Sequence, residues 1–281
     1  MADWAYGAPT WLLGLALFAA MLAAAWLGAA FSQWRQRRGG RGAISEAQEG
    51  YVLTSVYTLV GLLLAFTFGM ALDRFDQRRG LVLRDATAIE TLYVDARLLP
   101  EPHRSRISDL LVRHARNHIE LAQARKDDAD ANRLLSESQS LLDELREAAV
   151  PAFDSIRNID FSSTFVESLH EVIKADAARK AARRATIPET IILLLMFYSL
   201  IAAAVLGAIM RRRRAEALSV ALLALFVLAF MLLNDINRPV SGTIRESQEP
   251  MQRMFDRINR HSPSAPQPAA AGENQPGSDR Q

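Results

Sequence analysis

The chain has 281 residues, half of them hydrophobic, and a formal net charge of only +2. This charge balance gives no reason to expect nucleic-acid binding. Because the sequence contains no cysteine, it excludes disulfides, cysteine-ligated zinc, iron–sulfur clusters and thiol catalysis.

Four long apolar runs divide the chain into two pairs. A helix rises about 1.5 Å per residue, so about 20 apolar residues cross a hydrocarbon core of about 30 Å. We predict an all-α membrane protein with four transmembrane helices in a 2+2 arrangement, in which residues 1–72 and 188–234 form two helical hairpins. The predicted spans cover about residues 11–31, 51–72, 189–210 and 215–234.

The short connectors within each pair are basic. Residues 33–50 carry four arginines, and residues 211–214 are all arginine. Positive-inside counting therefore predicts cytoplasmic connectors, with the middle segment and both termini outside. The flanks of the middle segment, near Arg74 and Arg184, are basic too, so the opposite orientation stays open. In either orientation, the ends of the second and fourth spans lie on the same side as the middle segment.

The middle segment, residues 73–187, has helical periodicity and is predicted to form an α-helical extramembrane bundle. The second span continues into it without a helix breaker until Pro100. Thr186–Glu189 is typical of a helix start, so we expect the third span to begin afresh. A heptad seam in this segment packs either inside the same bundle or against another protomer. The seam consists of Leu134, Ser138, Leu141, Leu145 and Ala148.

The second span carries small and hydroxyl side chains on one helical face. Such a face permits close helix packing, or it lines a water-filled path through the membrane. In the second case Phe66 and Phe68 form an apolar constriction, although a lipid-facing position is equally natural for them. The candidate pore-lining residues are therefore Thr54, Thr58 and Phe66. The complete small-residue face comprises Thr54, Thr58, Gly61, Ala65 and Gly69.

Charged residues follow the second and fourth spans at the same membrane surface. Asp73 and Asp235 are placed to pair with Arg74 or Arg238, which would lock the two hairpins together. Alternatively, Arg74, Arg78 and Arg238 form a vestibule that attracts anions. Both interpretations make this junction a candidate functional site.

Nothing in the sequence indicates catalysis. It contains no nucleophile elbow, Walker loop or dinucleotide-binding glycine pattern. His114 and His118 lie one helical turn apart, but Arg113 and Arg116 would repel a cation, so we predict an exposed helical face there. We expect no enzyme activity, no cofactor and no metal.

Several stretches beside the membrane spans form motifs that can be compared with known families. They are residues 62–79, 85–91, 98–100, 235–239, 242–245 and 247–250. Together they resemble the bestrophin-like family of uncharacterised membrane proteins, a domain of unknown function, over about residues 10–255.

Kinship with bestrophins implies a specific architecture for this chain. Bestrophins are pentameric anion channels with a 2+2 helix layout, a pore lined by the second span, and cytoplasmic termini. That orientation is opposite to the positive-inside count. In addition, no stretch of this sequence matches the acidic cluster of the bestrophin calcium clasp.

The leading interpretation is a bacterial inner-membrane protein that forms a homo-oligomer in the lipid bilayer. It would pass small anions along the second span into the arginine vestibule. The alternative is a non-conducting scaffold that binds a partner protein through its helical bundle. Residues 235–261 form a juxtamembrane segment, and residues 262–281, rich in Pro, Ala, Gly, Ser and Gln, are predicted to be disordered.

Overall fold

The computed structural model describes residues 10–38, 46–124, 129–209, 213–238 and 246–260. These residues form eight α-helices and no strand, so the all-α prediction is confirmed. The predicted disordered tail and the motif Gly242–Arg245 lie outside the described residues. In chain order the helices are α1 (Thr10–Arg37), α2 (Glu46–Ala96), α3 (His103–Gln123), α4 (Ala129–Ile156), α5 (Phe161–Arg184), α6 (Glu189–Ile209), α7 (Arg213–Asn237) and α8 (Glu249–Arg260).

Four helical stretches are long and apolar enough to cross a membrane. They include α1, the first part of α2, α6 and α7, so each predicted span is helical. The chain leaves the helical conformation at residues 185–188, between α5 and α6. The third span therefore starts afresh, as the Thr186–Glu189 pattern predicted.

The helix α2 runs from the membrane region into the bundle as 51 continuous residues. Its interior contains no proline, and Pro100 and Pro102 follow soon after its end. At about 1.5 Å per residue the helix is about 75 Å long, more than twice a hydrocarbon core of about 30 Å. It is thus the element that joins the two regions of the protein.

The membrane-spanning helices pack in an order different from that of the chain. Helix α1 packs chiefly along α6 and also against α7, whereas α2 packs against α6 and α7 from its own side. The close approach of α1 and α6 depends on glycine. A Cβ at Gly28 would collide with the carbonyl oxygen of Ala204, and a Cβ at Gly207 with that of Ala25. The two predicted hairpins are therefore interleaved in space.

The extramembrane bundle consists of the second half of α2 together with α3, α4, α5 and α8. Its apolar core is separate from the core of the membrane region. The heptad seam of α4 lies inside the bundle core, since all five of its side chains are buried. The seam therefore belongs to the chain's own bundle, which was the first of its two interpretations.

Helix α8 was not expected from the sequence. It lies in the predicted juxtamembrane segment and packs against α2 and α3. Met251, Met254 and Ile258 are buried on one side of it, and Tyr93 Oη donates to the carbonyl oxygen of Ile258 at 3.1 Å. The spacing of these apolar residues by three and four positions is the signal that could have predicted the helix. After the fourth span the chain thus returns to the bundle.

Candidate functional site

One face of α2 is exposed along the membrane part of the helix. The candidate pore residues Thr54, Thr58 and Phe66 are all exposed there, and Phe66 has 65% of its surface free. A Cβ added at Gly61 or Gly69 would meet no atom within 4 Å in the described part of the chain. Gly61 and Gly69 therefore do not pack against another helix in the described part of the protomer. Close packing against another copy and pore lining both stay open.

The same side of α2 stays exposed where the helix leaves the membrane region. There it presents glycine, threonine and large apolar residues at helical spacing, and Leu98 is 66% exposed. Large apolar side chains on a surface outside the bilayer indicate contact with another protein. We call this side the α2 outer face. It consists of Thr54, Thr58, Gly61, Ala65, Gly69, Gly80, Leu83, Thr87, Val94 and Leu98.

Arg78 is buried where α2 passes the end of α7. Its Nε forms an ion pair with Glu246, and its Nη2 donates to the carbonyl oxygen of Ile236 at 3.0 Å. This one side chain ties the second span to the end of the fourth span and to the segment before α8. The ends of both spans therefore lie together, as predicted, but the partner Glu246 was not identified from the sequence.

The other four candidate residues of the junction lie in different environments. Asp73 is exposed and accepts a hydrogen bond from Gln77 Nε2 at 2.8 Å. Arg74 is half-buried, while Asp235 and Arg238 are buried at the end of α7. Two of the three arginines of the predicted vestibule, Arg78 and Arg238, are thus buried in the protomer.

His114 and His118 are buried in the bundle, which corrects the prediction of an exposed helical face. His114 is 1% exposed and His118 is 2% exposed. The reason is that α2, α4 and α8 all pack against α3, so that polar positions of α3 are buried together with its apolar stripe. The two imidazole rings lie one turn apart, with centroids separated by 4.2 Å.

Charged side chains from two neighbouring helices surround His118. Its Nδ1 lies 2.7 Å from Oδ2 of Asp85 on α2, and its Nε2 lies 3.1 Å from Oδ1 of Asp176 on α5. Arg179 Nη1 donates to the same Asp85 oxygen at 2.7 Å, and Lys180 Nζ lies 2.8 Å from Asp176 Oδ2. These five residues and His114 form what we call the buried ionic cluster. Sequence reasoning missed both aspartates, because a single aspartate on a helix forms no pattern.

Within the buried ionic cluster, burial and the neighbouring charges shift the pKa values of Asp85, His118 and His114. Burial alone would raise the pKa of Asp85, but His118 and Arg179 outweigh burial and hold that pKa well below its usual range. Burial alone would lower the pKa of His118, yet Asp85 and Asp176 raise it overall. Burial and the neighbouring His118 lower the pKa of His114 to about 3. His114 is therefore neutral near pH 7.

A cavity of about 220 Å³ opens beside the buried ionic cluster. It lies between α2, α3 and α5, next to the chain that leads into α8. Its lining includes His118 and Asp176 of the cluster and the pair Arg78–Glu246 of the junction. The junction and the cluster therefore line one common cavity.

A family model for the bestrophin-like domain matches residues 15–251, which include both pairs of spans and the bundle. The chain belongs to the bestrophin-like family. The uninterrupted α2 and the separate membrane and bundle cores are thus features of a bestrophin-like membrane protein. A search of curated proteins finds no match.

Solved structures of a bacterial bestrophin homologue from Klebsiella pneumoniae are similar to this bestrophin-like chain. One has a TM-score of 0.60 and 17% sequence identity, over 88% of this chain and 96% of that chain. A point variant of that homologue has a TM-score of 0.63 and 18% identity, over 90% and 96% of the two chains. At these identities the likeness establishes the bestrophin fold.

Proposed function

We propose that this bestrophin-like protein forms a homo-oligomeric channel that conducts small anions passively along α2. The observation that carries the proposal is the α2 outer face, which is exposed from Thr54 to Leu98. Lipid can cover this face inside the bilayer. Leu83, Val94 and Leu98 lie beyond the predicted span, however, where lipid is absent, so further copies of the chain are the simplest cover for this part of the face. In a ring of such copies, the membrane part of the face would line the space that they enclose.

The membrane part of the outer face has the chemistry of a narrow ion path. Thr54 and Thr58 provide hydroxyl groups, Gly61 leaves the path wide, and Phe66 narrows it. Residues 51–72 contain no Asp, Glu, Lys or Arg. Ion selectivity in such a path comes from hydroxyl and backbone dipoles and from charges at its mouth.

A second candidate, cation conduction, is favoured by the charges at that mouth. Just beyond the predicted span, Asp73 and Asp76 are exposed, against one exposed arginine, Arg79, and one half-buried arginine, Arg74. Arg78 and Arg238 are buried. Exposed carboxylates attract cations, and a buried guanidinium group that is already paired attracts anions less strongly. Family membership supports anions and the local charge supports cations, so the test has to compare both ions.

Ion flux through reconstituted vesicles tests the proposal. Vesicles that contain the full-length protein should lose chloride faster than empty vesicles, and bilayer reversal potentials should show a preference for chloride over sodium. A preference for sodium would establish the second candidate instead. Because a channel can be closed at rest, the variant Phe66→Ala is included, and we expect it to raise the flux by removing the constriction.

The matched control is Phe197→Ala, which removes an exposed phenylalanine from α6. It should leave the flux unchanged. If neither the wild-type protein nor Phe66→Ala passes chloride or sodium above empty vesicles, the non-conducting scaffold is the better description. The structure has weakened one support of that alternative, since the heptad seam of α4 is buried in the chain's own bundle.

A further inference from the structure

Three potential metal ligands meet in the buried ionic cluster. His114, His118 and Asp176 are all buried, and their ligand atoms lie within 4.8 Å of one another. We propose that these three residues bind one divalent metal ion of the Zn²⁺ type inside the bundle. The site lies away from the α2 outer face, so it is independent of the proposed conduction path, and it replaces the expectation of a metal-free protein.

The contact between His118 and Asp176 supports a metal site. An imidazole that binds a metal is neutral with one N–H group, and Asp85 Oδ2, at 2.7 Å from Nδ1, is placed to accept the hydrogen of Nδ1. The lone pair of Nε2 then faces a carboxylate oxygen of Asp176 at 3.1 Å. Two acceptors at this distance require a positive centre between them, either a proton or a metal ion.

The spacing of these two acceptor atoms suits a metal ion. A tetrahedral Zn²⁺ with bonds of about 2.0–2.1 Å holds its ligand atoms about 3.3 Å apart. The observed separation of 3.1 Å between Nε2 and Oδ1 is close to this value. A metal ion would therefore need only a small outward shift of the two side chains.

His114 supports the same site independently. Both of its ring nitrogens are buried without a hydrogen-bond partner in the described part of the chain. A buried imidazole with two unsatisfied nitrogens is unfavourable and calls for an explanation. Because His114 precedes His118 by one helical turn, both rings lie on the same side of α3, and the two centroids are 4.2 Å apart. A shared metal ion would give His114 the partner that it lacks.

The remaining members of the cluster occupy supporting positions. Asp85 accepts from the Nδ1 of His118, which is the usual arrangement that orients a metal-binding histidine. Lys180 lies against Oδ2 of Asp176, which leaves Oδ1 for the ion. Ser138 Oγ donates to that Oδ1 at 3.3 Å and helps to orient the carboxylate. The charges of Arg179 and Lys180 oppose a cation, so we expect micromolar rather than picomolar affinity.

The donor set selects the class of metal. Two imidazole nitrogens and one carboxylate oxygen suit Zn²⁺, Co²⁺ or Ni²⁺, whereas Ca²⁺ and Mg²⁺ prefer oxygen ligands alone. The cavity of about 220 Å³ is lined by His118 and Asp176 and gives the ion a route of entry.

Cobalt binding is the direct test. Untagged full-length protein in detergent is stripped with a chelator and titrated with Co²⁺, and the visible d–d absorption of tetrahedral Co²⁺ is recorded. We expect saturation at one ion per chain and displacement by Zn²⁺ but not by Mg²⁺. Zn²⁺ should also raise the melting temperature of the stripped protein, because it binds the folded state.

The matched pair of variants is His114→Leu and His170→Leu, the second of which removes an exposed histidine from α5. His114→Leu should weaken Co²⁺ affinity by more than about tenfold and abolish the shift in melting temperature caused by Zn²⁺. His170→Leu should retain both the Co²⁺ affinity and the shift in melting temperature caused by Zn²⁺. Without metal, His114→Leu should melt no lower than the wild-type protein, since it removes an unsatisfied buried group. Asp176→Asn serves as a second ligand variant if His114→Leu does not fold.

Two results would overturn the proposal. One is a stripped protein that takes up no Co²⁺ or Zn²⁺ at micromolar concentration, in which case a proton alone fills the space between His118 and Asp176. The other is equal binding by wild-type protein, His114→Leu and Asp176→Asn, which would assign the ion to an adventitious surface site.

Discussion

Arg78 joins parts of the chain that are far apart in sequence. Its guanidinium group contacts Ile236 and Glu246, which follow it by 158 and 168 residues. Because the group is buried, its removal would leave a carboxylate and a carbonyl oxygen without their donor. At the scale of single residues, Arg78 is therefore the contact that fixes the end of the fourth span against α2.

Substitution of Arg78 tests this role. We expect Arg78→Met to cost about 3 kcal/mol of folding stability, because breaking a buried ion pair leaves an uncompensated charge. Thermal unfolding in detergent, followed by circular dichroism, measures the loss. The control is Arg84→Met, whose ion pair with Glu171 is exposed and should be worth less than about 1 kcal/mol. Equal losses of folding stability in the two variants would show that the buried contacts of Arg78 do not hold the fourth span against α2.

At the scale of helices, the contact between α1 and α6 shows how the membrane region is held together. Lipid chains are as apolar as leucine, so burying one apolar helix on another gains little from the hydrophobic effect. Close backbone contact then supplies much of the packing energy. Gly28 and Gly207 provide it, because each lies against a backbone carbonyl of the opposite helix.

A single added methyl group tests the helix contact. Gly28→Ala should force α1 away from Ala204 and cost at least about 1–3 kcal/mol, as overpacking does in a well-packed core. The measurement is the melting temperature together with the yield of folded protein. Gly50→Ala is the control, because a Cβ there meets nothing within 4 Å in the described part of the chain. An unchanged melting temperature for Gly28→Ala would contradict the observed approach of the two backbones.

At the scale of the whole molecule, α2 connects two separate cores and leaves its outer face uncovered. One part of that face belongs to the membrane region and the other to the bundle. A partner that covers both parts has to extend across the membrane surface. We propose a ring of copies of this bestrophin-like chain, in which the bundle part of the face is an interface between copies and the membrane part lines the enclosed path.

A charge placed on the outer face tests the assembly. Leu83→Arg should convert the oligomer to monomer and abolish ion flux, since a desolvated arginine without a partner opposes association. Light scattering coupled to size-exclusion chromatography measures the mass. The control is Val150→Arg, which adds the same charge to an exposed apolar position on α4 and should leave the mass unchanged. A wild-type protein that is monomeric, or a Leu83→Arg protein of unchanged mass, would exclude this interface.

Local sequence patterns were sufficient to predict the four spans, the extension of α2 and the family, but not helix α8. The length of the apolar runs predicts four spans, the lack of a breaker before Pro100 predicts the extension of α2, and the pattern at Thr186–Glu189 predicts the break before α6. These are local properties, because helix formation and helix ends depend on neighbouring residues. The motifs beside the spans were likewise sufficient to indicate the bestrophin-like family.

Which surfaces meet became apparent from the packing of the helices. His114 and His118 are buried because three helices cover α3, and Arg78 is paired because the chain returns to the bundle after the fourth span. The glycines that pack tightly are on α1 and α6, whereas those of α2 remain uncovered. The physical reason is that local periodicity shows which side of a helix favours burial. Which distant helix covers that side, and which polar groups are buried with it, depends on the packing of the whole chain.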